Sequence, residues 1–313
     1  QFQALDGVDR DSDRRLLPLE GMGFMVLTLG EACKSVLETA DPQAKLMRAR
    51  AVARYWRLGR LEHRFDTDMP DYPARPEQPE LLAPRFMPKR RRAGSERGRI
   101  AMLHALAHIE FVAIDLAFDL VGRFGGLFHR EFADDWLRVG ADEAMHFALL
   151  DRRLRQLGSH YGAMPAHDGL WEAAYATRED ALARLAIVPM VLEARGLDVT
   201  PATVERFEAQ GDLASARILQ RIFTDEIRHV SAGIKWFESG CRAANLLPKH
   251  YWKTLVNRHF RGAVKPPFND SARSKAGLTR GPLRAALAIV QLRRFGPWFM
   301  GIDEMIFQSR GWC

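Results

Sequence analysis

The chain has 313 residues, of which 47% are hydrophobic and 27% are charged. This mixture is that of a globular protein, so it excludes a wholly disordered, collagen-like or low-complexity chain. The net charge of +7 allows an anionic partner such as RNA but does not require one.

The N-terminal part begins with residues 1–18, which show no clear period and are expected to be extended or mobile. Two helices are predicted next, over 22–40 and 42–65. Asp41 and Pro42 separate them, because aspartate is a suitable N-cap and proline fits the first helical turn.

A proline-rich segment follows from Thr67 to Gly98, with six prolines in the 19 residues 70–88. Proline is unfavourable in helix interiors and central strands, so we expect an extended arm that wraps over the surface. The arm ends in the basic run 89–92. This run is predicted to be solvated rather than to bind RNA, because no aromatic residues that could stack on bases are interleaved with it.

Four long helical segments come next and are predicted near 96–122, 130–158, 169–195 and 211–244. Glycines and prolines punctuate the chain between them. One or two shorter helices are expected beyond residue 247, and a final apolar helix from about residue 283. No alternating strand pattern of useful length is present, so the sequence predicts an all-α fold built on a four-helix bundle.

The three cysteines, Cys33, Cys241 and Cys313, are far apart and form no CxxC pair. This argues against a disulfide framework or a zinc ribbon and indicates a reducing compartment, so we expect a cytoplasmic protein. The apolar runs 24–29 and 285–292 are much shorter than the roughly 20 residues that span a bilayer, so no membrane span is predicted.

The second and fourth long helices carry the same motif, D-E-x-x-H, at 142–146 and 225–229. Positions i and i+3 lie on one face of a helix, so the glutamate and the histidine of each copy can bind the same ion. The first and third long helices each place a single glutamate, Glu110 or Glu193, in an apolar stretch. An ionised carboxylate is costly there unless it is paired or metal-bound.

The spacing of these residues indicates an internal duplication. In each half, 33 residues separate the single glutamate from the glutamate of the motif, and the two halves are 83 residues apart. An aspartate follows each single glutamate after five residues, at Asp115 and Asp198. Four glutamates and two histidines are the ligand set of a carboxylate-bridged dinuclear site in a four-helix bundle. The predicted metal ligands are Glu110, Glu143, His146, Glu193, Glu226 and His229.

Carboxylates and imidazoles suit iron or manganese, so we expect two iron ions, with manganese or a mixed manganese–iron pair as the alternative. The protein supplies few ligands per ion, which leaves an open position for O₂ or substrate. Asp142 and Asp225 precede the motif glutamates and share a face with the histidines. Each is expected to accept a hydrogen bond from the second N–H of a metal-bound imidazole, on its own helix or across the bundle.

The pattern resembles the ferritin-like di-iron carboxylate superfamily, and 225–229 is similar to the D-E-x-R-H signature of its bacterial multicomponent monooxygenases. Residues 106–110, 165–171 and 192–201 resemble an uncharacterised bacterial ferritin-like family, formerly a domain of unknown function. This likeness covers roughly residues 20–280 and implies that the same six positions are the metal ligands.

The resemblance implies three parts of the chain: N-terminal helices and a proline-rich arm packed on the bundle (1–95), a ferritin-like four-helix bundle (96–245) and a C-terminal helical extension (246–313). It also gives Arg228 a place beside the ligands of the second half. Met145 occupies the corresponding position of the first half, so the outer arginine is expected in one half only.

The favoured function is an O₂-activating oxidase or hydroxylase of a small organic substrate, supplied with electrons by a donor protein. The alternatives are a tRNA-modifying hydroxylase, a ferroxidase or iron-handling protein, manganese catalase chemistry, and a non-catalytic helical scaffold. The basic charge allows RNA as a partner without favouring it, whereas the long extensions weigh against iron storage. A homo-oligomer is compatible with each of these interpretations.

Four further residues are interpreted as structural. His104 and His108 are four residues apart, but we expect them to be packed and hydrogen-bonded rather than to bind a second metal. Trp136 is predicted to fill the core, and Asp168 to cap the helix that follows it.

Overall fold

The computed structural model describes residues 27–83, 86–87, 95–260, 264 and 266–278. In this part of the chain helices dominate, and the β pairing consists of two isolated bridges. The predicted all-α class is therefore confirmed. The segment 1–18, the basic run 89–92 and the helix expected from residue 283 lie outside the described residues. The α-helices are α1 (Leu29–Leu37), α2 (Pro42–Arg57), α3 (Glu96–Phe124), α4 (Arg130–Gln156), α5 (Gly169–Tyr175), α6 (Ala181–Ile187), α7 (Ala194–Ala209), α8 (Leu213–Ala243), α9 (Pro248–His259) and α10 (Asp270–Lys275).

A capping box begins α1. The Thr28 hydroxyl accepts a hydrogen bond from the Glu31 N–H at 3.1 Å, and the Glu31 carboxylate accepts one from the Thr28 N–H at 2.9 Å. This pair of hydrogen bonds satisfies two N–H groups at the start of the helix, so α1 begins at residue 29. Residues 22–26 of the predicted helix lie outside the described residues.

The predicted break between the first two helices is confirmed. The Asp41 carboxylate accepts a hydrogen bond from an N–H group of the first turn of α2 at 2.7 Å, and Pro42 occupies the first helical position. This helix ends at Arg57 rather than at residue 65. Gly59 ends it with a φ of +66°, a left-handed conformation that favours glycine.

The helices that carry the motifs pack together in the core. α3 packs along α4, α7 packs along α8, and α4 contacts α8. α3 and α4 approach closely at Gly140, where a Cβ atom would lie 2.6 Å from the ring of Phe118. α3 is apolar and long enough to cross a membrane, but 78% of its most apolar window is buried inside the fold, as expected for a helix of the protein core.

The prediction of one helix over 169–195 is wrong. α5 and α6 are separate helices, and the chain then continues through a π-helix (Val188–Glu193) into α7. Asp180 caps α6, because its carboxylate accepts hydrogen bonds from two N–H groups of the first turn, at 2.8 and 3.0 Å. α7 runs through Gly196 and Pro201, since the packing of its apolar face against α8 outweighs their low helix propensity.

The proline-rich arm is extended, as predicted, and its backbone is fixed at two points. The Ala74 N–H donates to the Leu37 carbonyl oxygen at 2.8 Å, and the Leu82 N–H donates to the Ala166 carbonyl oxygen at 2.8 Å. These hydrogen bonds connect the arm to the end of α1 and to the loop before α5.

Buried ion pairs fasten the flanking segments to the core at equivalent points of the two halves. On α3, Asp115 pairs with Lys45 of α2 at 2.5 Å and with Arg75 of the arm. On α7, Asp198 pairs with Arg273 of α10, whose Nε and Nη2 both lie 2.7 Å from its carboxylate oxygens. The duplication therefore extends from the motifs to the way in which each half holds its neighbouring segment.

Candidate metal centre

The core helices bring the six predicted ligands together. Five of the six side chains are buried, and Glu193 is partly exposed. They come from α3 (Glu110), α4 (Glu143 and His146), the end of the π-helix (Glu193) and α8 (Glu226 and His229).

Four of these residues form one compact group. One atom from each of Glu110, Glu143, His146 and Glu226 lies within 4.8 Å of the other three, which is close enough to hold one metal ion. The Nδ1 atom of His146 is 3.2 Å from a Glu110 oxygen and 3.3 Å from a Glu143 oxygen. Because Glu226 belongs to the other repeat, the group combines residues from both halves.

The second half makes related contacts. The Nδ1 atom of His229 lies 2.9 Å from Glu143 Oε1 and 3.6 Å from Glu226 Oε1. The imidazole rings of His146 and His229 are 5.8 Å apart between centroids. Glu143 is thus close to the histidines of both halves, and Glu226 approaches Glu110 of the first half as well as His229 of its own.

Two aspartates hold the histidines, and each does so across the core. Asp225 Oδ2 lies 3.1 Å from Nε2 of His146, and Asp142 Oδ2 lies 3.4 Å from Nε2 of His229. The motif leaves open whether each aspartate binds the histidine of its own helix or of the other, and the structure places it on the other. An ionised carboxylate at Nε2 holds the proton there, which directs Nδ1 of each ring to the glutamates.

Arg228 links the two aspartates. Its Nη2 donates to Asp225 at 2.7 Å and to Asp142 at 3.2 Å, and Arg221 donates to Asp225 at 2.6 Å. Burial opposes ionisation of both aspartates, but their histidine and arginine partners lower the pKa of each. One arginine therefore serves both halves, although Met145 replaces its counterpart.

The electrostatics of the cluster favour cations. Burial and the nearby Glu143 raise the pKa of Glu110, and burial, Glu226 and Glu143 raise the pKa of Glu193. Burial opposes charge on the histidines, but hydrogen bonds to the carboxylates outweigh it and raise the pKa of His146. Protons thus neutralise carboxylates that a metal ion would neutralise equally well.

Several buried atoms of the cluster also fit a metal. Glu143 Oε1, Glu193 Oε2, Glu226 Oε2 and His229 Nδ1 have no hydrogen-bond partner. Glu143 Oε1 and His229 Nδ1 are close, but not in the geometry of a hydrogen bond. Buried polar atoms without partners are rare in native proteins. Oxygen and imidazole nitrogen are suitable ligands of a hard or borderline cation, so the residues fit such an ion.

All four glutamates line a cavity of about 70 Å³ between α3, α7 and α8. Most of its other lining residues are apolar; Gly196, Thr200 and Thr203 are the exceptions. None of these three residues was among the site residues predicted from the sequence. Their only signal is helical spacing after Glu193, which places them on the same side of α7.

The additional histidines lie outside the cluster, as predicted. The Gly162 N–H donates to Nε2 of His104 at 3.0 Å, and Nδ1 of His108 lies 2.9 Å from the Tyr161 hydroxyl. Trp136 is 2% exposed and belongs to the core. The two histidines are therefore packed and hydrogen-bonded.

The predicted capping role of Asp168 is wrong. Asp168 precedes α5, but its side chain makes no capping hydrogen bond. It lies instead 3.4 Å from Arg75 of the arm. Burial raises the pKa of Asp168 to about 6, against the attraction of Arg75.

Comparison with known proteins shows the family. A family model described as "Protein of unknown function (DUF455)" matches residues 38–284, and the chain therefore belongs to this family. A Haemophilus influenzae protein described as an uncharacterized protein is 38% identical over 277 residues, which cover 84% of this chain and 94% of that protein. No solved structure matches the chain. The function therefore has to be inferred from the site itself.

Proposed function

We propose that this chain is a dinuclear metalloenzyme that activates O₂ to oxidise an organic substrate, as an oxidase or hydroxylase. Its metals would be two iron ions, or alternatively manganese or a mixed manganese–iron pair. They would be bound by the six residues of the cluster inside a ferritin-like four-helix bundle made of α3, α4, the π-helix with α7, and α8. The observation that carries the proposal is the convergence of two Glu and ExxH repeats on one buried cluster, several atoms of which lack hydrogen-bond partners.

The donor set assigns a role to each glutamate. Glu143 lies near both histidines, and Glu226 lies near His229 and the first-half group, so these two would be shared by the ions. Glu110, which lies next to His146, and Glu193 would each bind one ion. Four carboxylates nearly cancel the charge of two divalent ions. Burial raises the pKa of Glu110 and Glu193 most, and the ions would remove the repulsion between carboxylates that adds to it.

The surrounding residues prepare the site. Asp225 and Asp142 hold the Nε2 protons of the histidines, which leaves Nδ1 available to a metal, and Arg228 keeps both aspartates ionised. The apolar cavity limits access of water to the glutamates. When bound, the ions supply a binding site for O₂ and a route for the electrons that reduce it.

The reaction defines the partners. In a hydroxylation, a C–H bond of the substrate becomes C–OH and the other oxygen atom leaves as water. A pair of electrons must therefore come from an external donor protein, and a pair of protons from solvent. We accordingly propose a small-molecule substrate, O₂ and an electron-donor protein as partners.

Metal analysis of the full chain, purified from its native host, tests the metal centre. We expect two ions per chain, and loss of most of the metal in Glu143→Ala and Glu226→Ala with helix content unchanged. His108→Gln is the control, because His108 is a buried histidine outside the cluster. One ion or none per parent chain, or parental metal content in both glutamate variants, would contradict the proposal.

Anaerobic loading with ferrous iron, followed by O₂, tests the activity. We expect about two ferrous ions per chain to be oxidised per cycle, with further O₂ consumption only when a reductant is added. Uptake of many ferrous ions with mineral formation would indicate a ferroxidase instead. A requirement for RNA that weakens steeply with salt would indicate a tRNA-modifying hydroxylase. No reaction with O₂ in either the iron or the manganese form would leave a structural metal site.

A further inference from the structure

The cavity that the glutamates line is long and narrow. Its α3 wall runs from Met102 to Leu116, which is about 21 Å at the helical rise of about 1.5 Å per residue. Its volume is only about 70 Å³. A space that is this long and this small has a slender cross-section.

The walls are apolar apart from the carboxylates, and Glu193 and Glu226 stand at the ends of the lining stretches 192–203 and 219–226. Glu110 stands near the middle of the α3 wall. Thr200 and Thr203 are the uncharged polar side chains of the lining, and the Thr203 hydroxyl already donates to the Val199 carbonyl oxygen at 3.0 Å. Among the described lining residues none is basic, so a phosphate or carboxylate of a ligand would meet glutamates without a counter-charge from this part of the chain.

We propose that this cavity binds an unbranched aliphatic chain that is uncharged over the part that enters, and that such a chain is the substrate class of the site. This inference rests on the proposed function, because it takes the glutamates that line the cavity as the place of reaction. A linear chain matches the length and the cross-section of the cavity. A ring of the same carbon number is too wide for it.

Gly196 determines the width of the cavity on the α7 side. A Cβ atom at this position would have nothing within 4 Å, so a larger side chain would extend into open space. Glycine is also a poor helix former, so a substitution here does not disfavour α7. Gly196→Leu is therefore expected to fill the cavity and leave the fold intact. Ala202→Leu is the matched control, because Ala202 lies on the exposed side of the same helix.

Isothermal titration calorimetry of the full chain with hexan-1-ol and cyclohexanol tests the proposal. We expect hexan-1-ol to bind at least about ten-fold more tightly than cyclohexanol, and about four-fold more tightly than pentan-1-ol, because it buries one more methylene group. Gly196→Leu should weaken hexan-1-ol binding at least about ten-fold, whereas Ala202→Leu should leave it unchanged. Equal affinities for the linear and cyclic alcohols, no binding of hexan-1-ol, or parental affinity in Gly196→Leu would overturn the proposal.

The same samples separate this proposal from the proposed function. The titration is carried out on metal-free and on iron-loaded protein, and the metal content of each sample is measured. Selective binding of hexan-1-ol to a chain that binds no metal would support the cavity assignment and reject the metal centre. Two bound ions without alcohol binding would reject the cavity assignment alone.

Discussion

The substitution Asp225→Asn tests whether the aspartates prepare the histidines for metal binding. The Asp225 carboxylate lies 3.1 Å from Nε2 of His146 and accepts hydrogen bonds from Arg221 at 2.6 Å and from Arg228 at 2.7 Å. An asparagine amide offers one oxygen to these donors, and its NH₂ group then faces another donor. The variant therefore no longer fixes the proton of His146 on Nε2, and Nδ1 is no longer held ready for a metal.

The expected loss follows from the geometry. Removing a partner that orients a metal-bound histidine weakens metal binding about 10- to 100-fold, or about 1.4–2.8 kcal/mol. Asp225→Asn should lie near the upper end, because the Asp225 side chain is 1% exposed and its contact with His146 is 3.1 Å. Asp142→Asn should lie near the lower end, because the Asp142 side chain is 20% exposed and its contact with His229 is 3.4 Å.

Ferrous affinity is measured anaerobically by competition with a coloured chelator, and circular dichroism checks that the variants are folded. Asp135→Asn is the control, because Asp135 lies on α4 with Asp142 but contacts Lys235 and Trp236 instead of a histidine. Parental affinity in folded Asp225→Asn, or an equal loss in Asp135→Asn, would refute the reasoning.

Three further predictions concern stability and are checked by urea unfolding. Gly233→Ala should destabilise the fold by about 1–3 kcal/mol, because the new Cβ atom would lie 2.5 Å from Pro189 of the π-helix. Gly196→Ala should not destabilise it, because a Cβ atom there has no neighbour within 4 Å, and equal effects of the two substitutions would contradict this prediction. Lys45→Met should lower the free energy of unfolding by about 1.5–3 kcal/mol, because buried Asp115 loses one of its two basic partners. An unchanged free energy of unfolding would show that this ion pair does not stabilise the fold. The pKa of Asp168 is raised to about 6 in the folded state, so folding favours its protonated form. The free energy of unfolding of the parent should therefore fall by up to about 3 kcal/mol relative to that of Asp168→Asn as the pH rises from about 4 to about 7. A difference between the two proteins that does not change with pH would reject this prediction.

Three of the four long helices could be predicted from the sequence to within a few residues. α3, α4 and α8 are continuous helical segments without internal proline, and α3 and α8 begin at the side-chain caps of Ser95 and Asp212. The third long helix could not be predicted, because Gly196 and Pro201 are strong local signals for a helix end. The packing of α7 against α8 keeps this segment helical, and no short stretch of sequence encodes that packing.

The convergence of the candidate ligands could be predicted because the duplication is a pattern along the chain. The equal spacing of Glu110 and Glu143, and of Glu193 and Glu226, is visible without a structure. The exchange of aspartates between the halves was not predictable, since both possible histidines share the required face. The cavity was not predictable either, because it is the space that three helices leave between them, and a residue such as Gly196 shows nothing of that space in the sequence.

The difference between the two motifs has a structural explanation. Arg228 already reaches both aspartates, so an arginine in place of Met145 would add a second positive charge beside the same pair of carboxylates. A single arginine is sufficient because the aspartates cross over and meet at one point of the core. The single arginine also makes the two sides of the cluster different in polarity. Arg228 is 44% exposed and connects the histidine side to solvent, whereas the glutamate side faces an apolar cavity. Water and charged groups therefore approach the centre on the side opposite to the one where an apolar chain would lie.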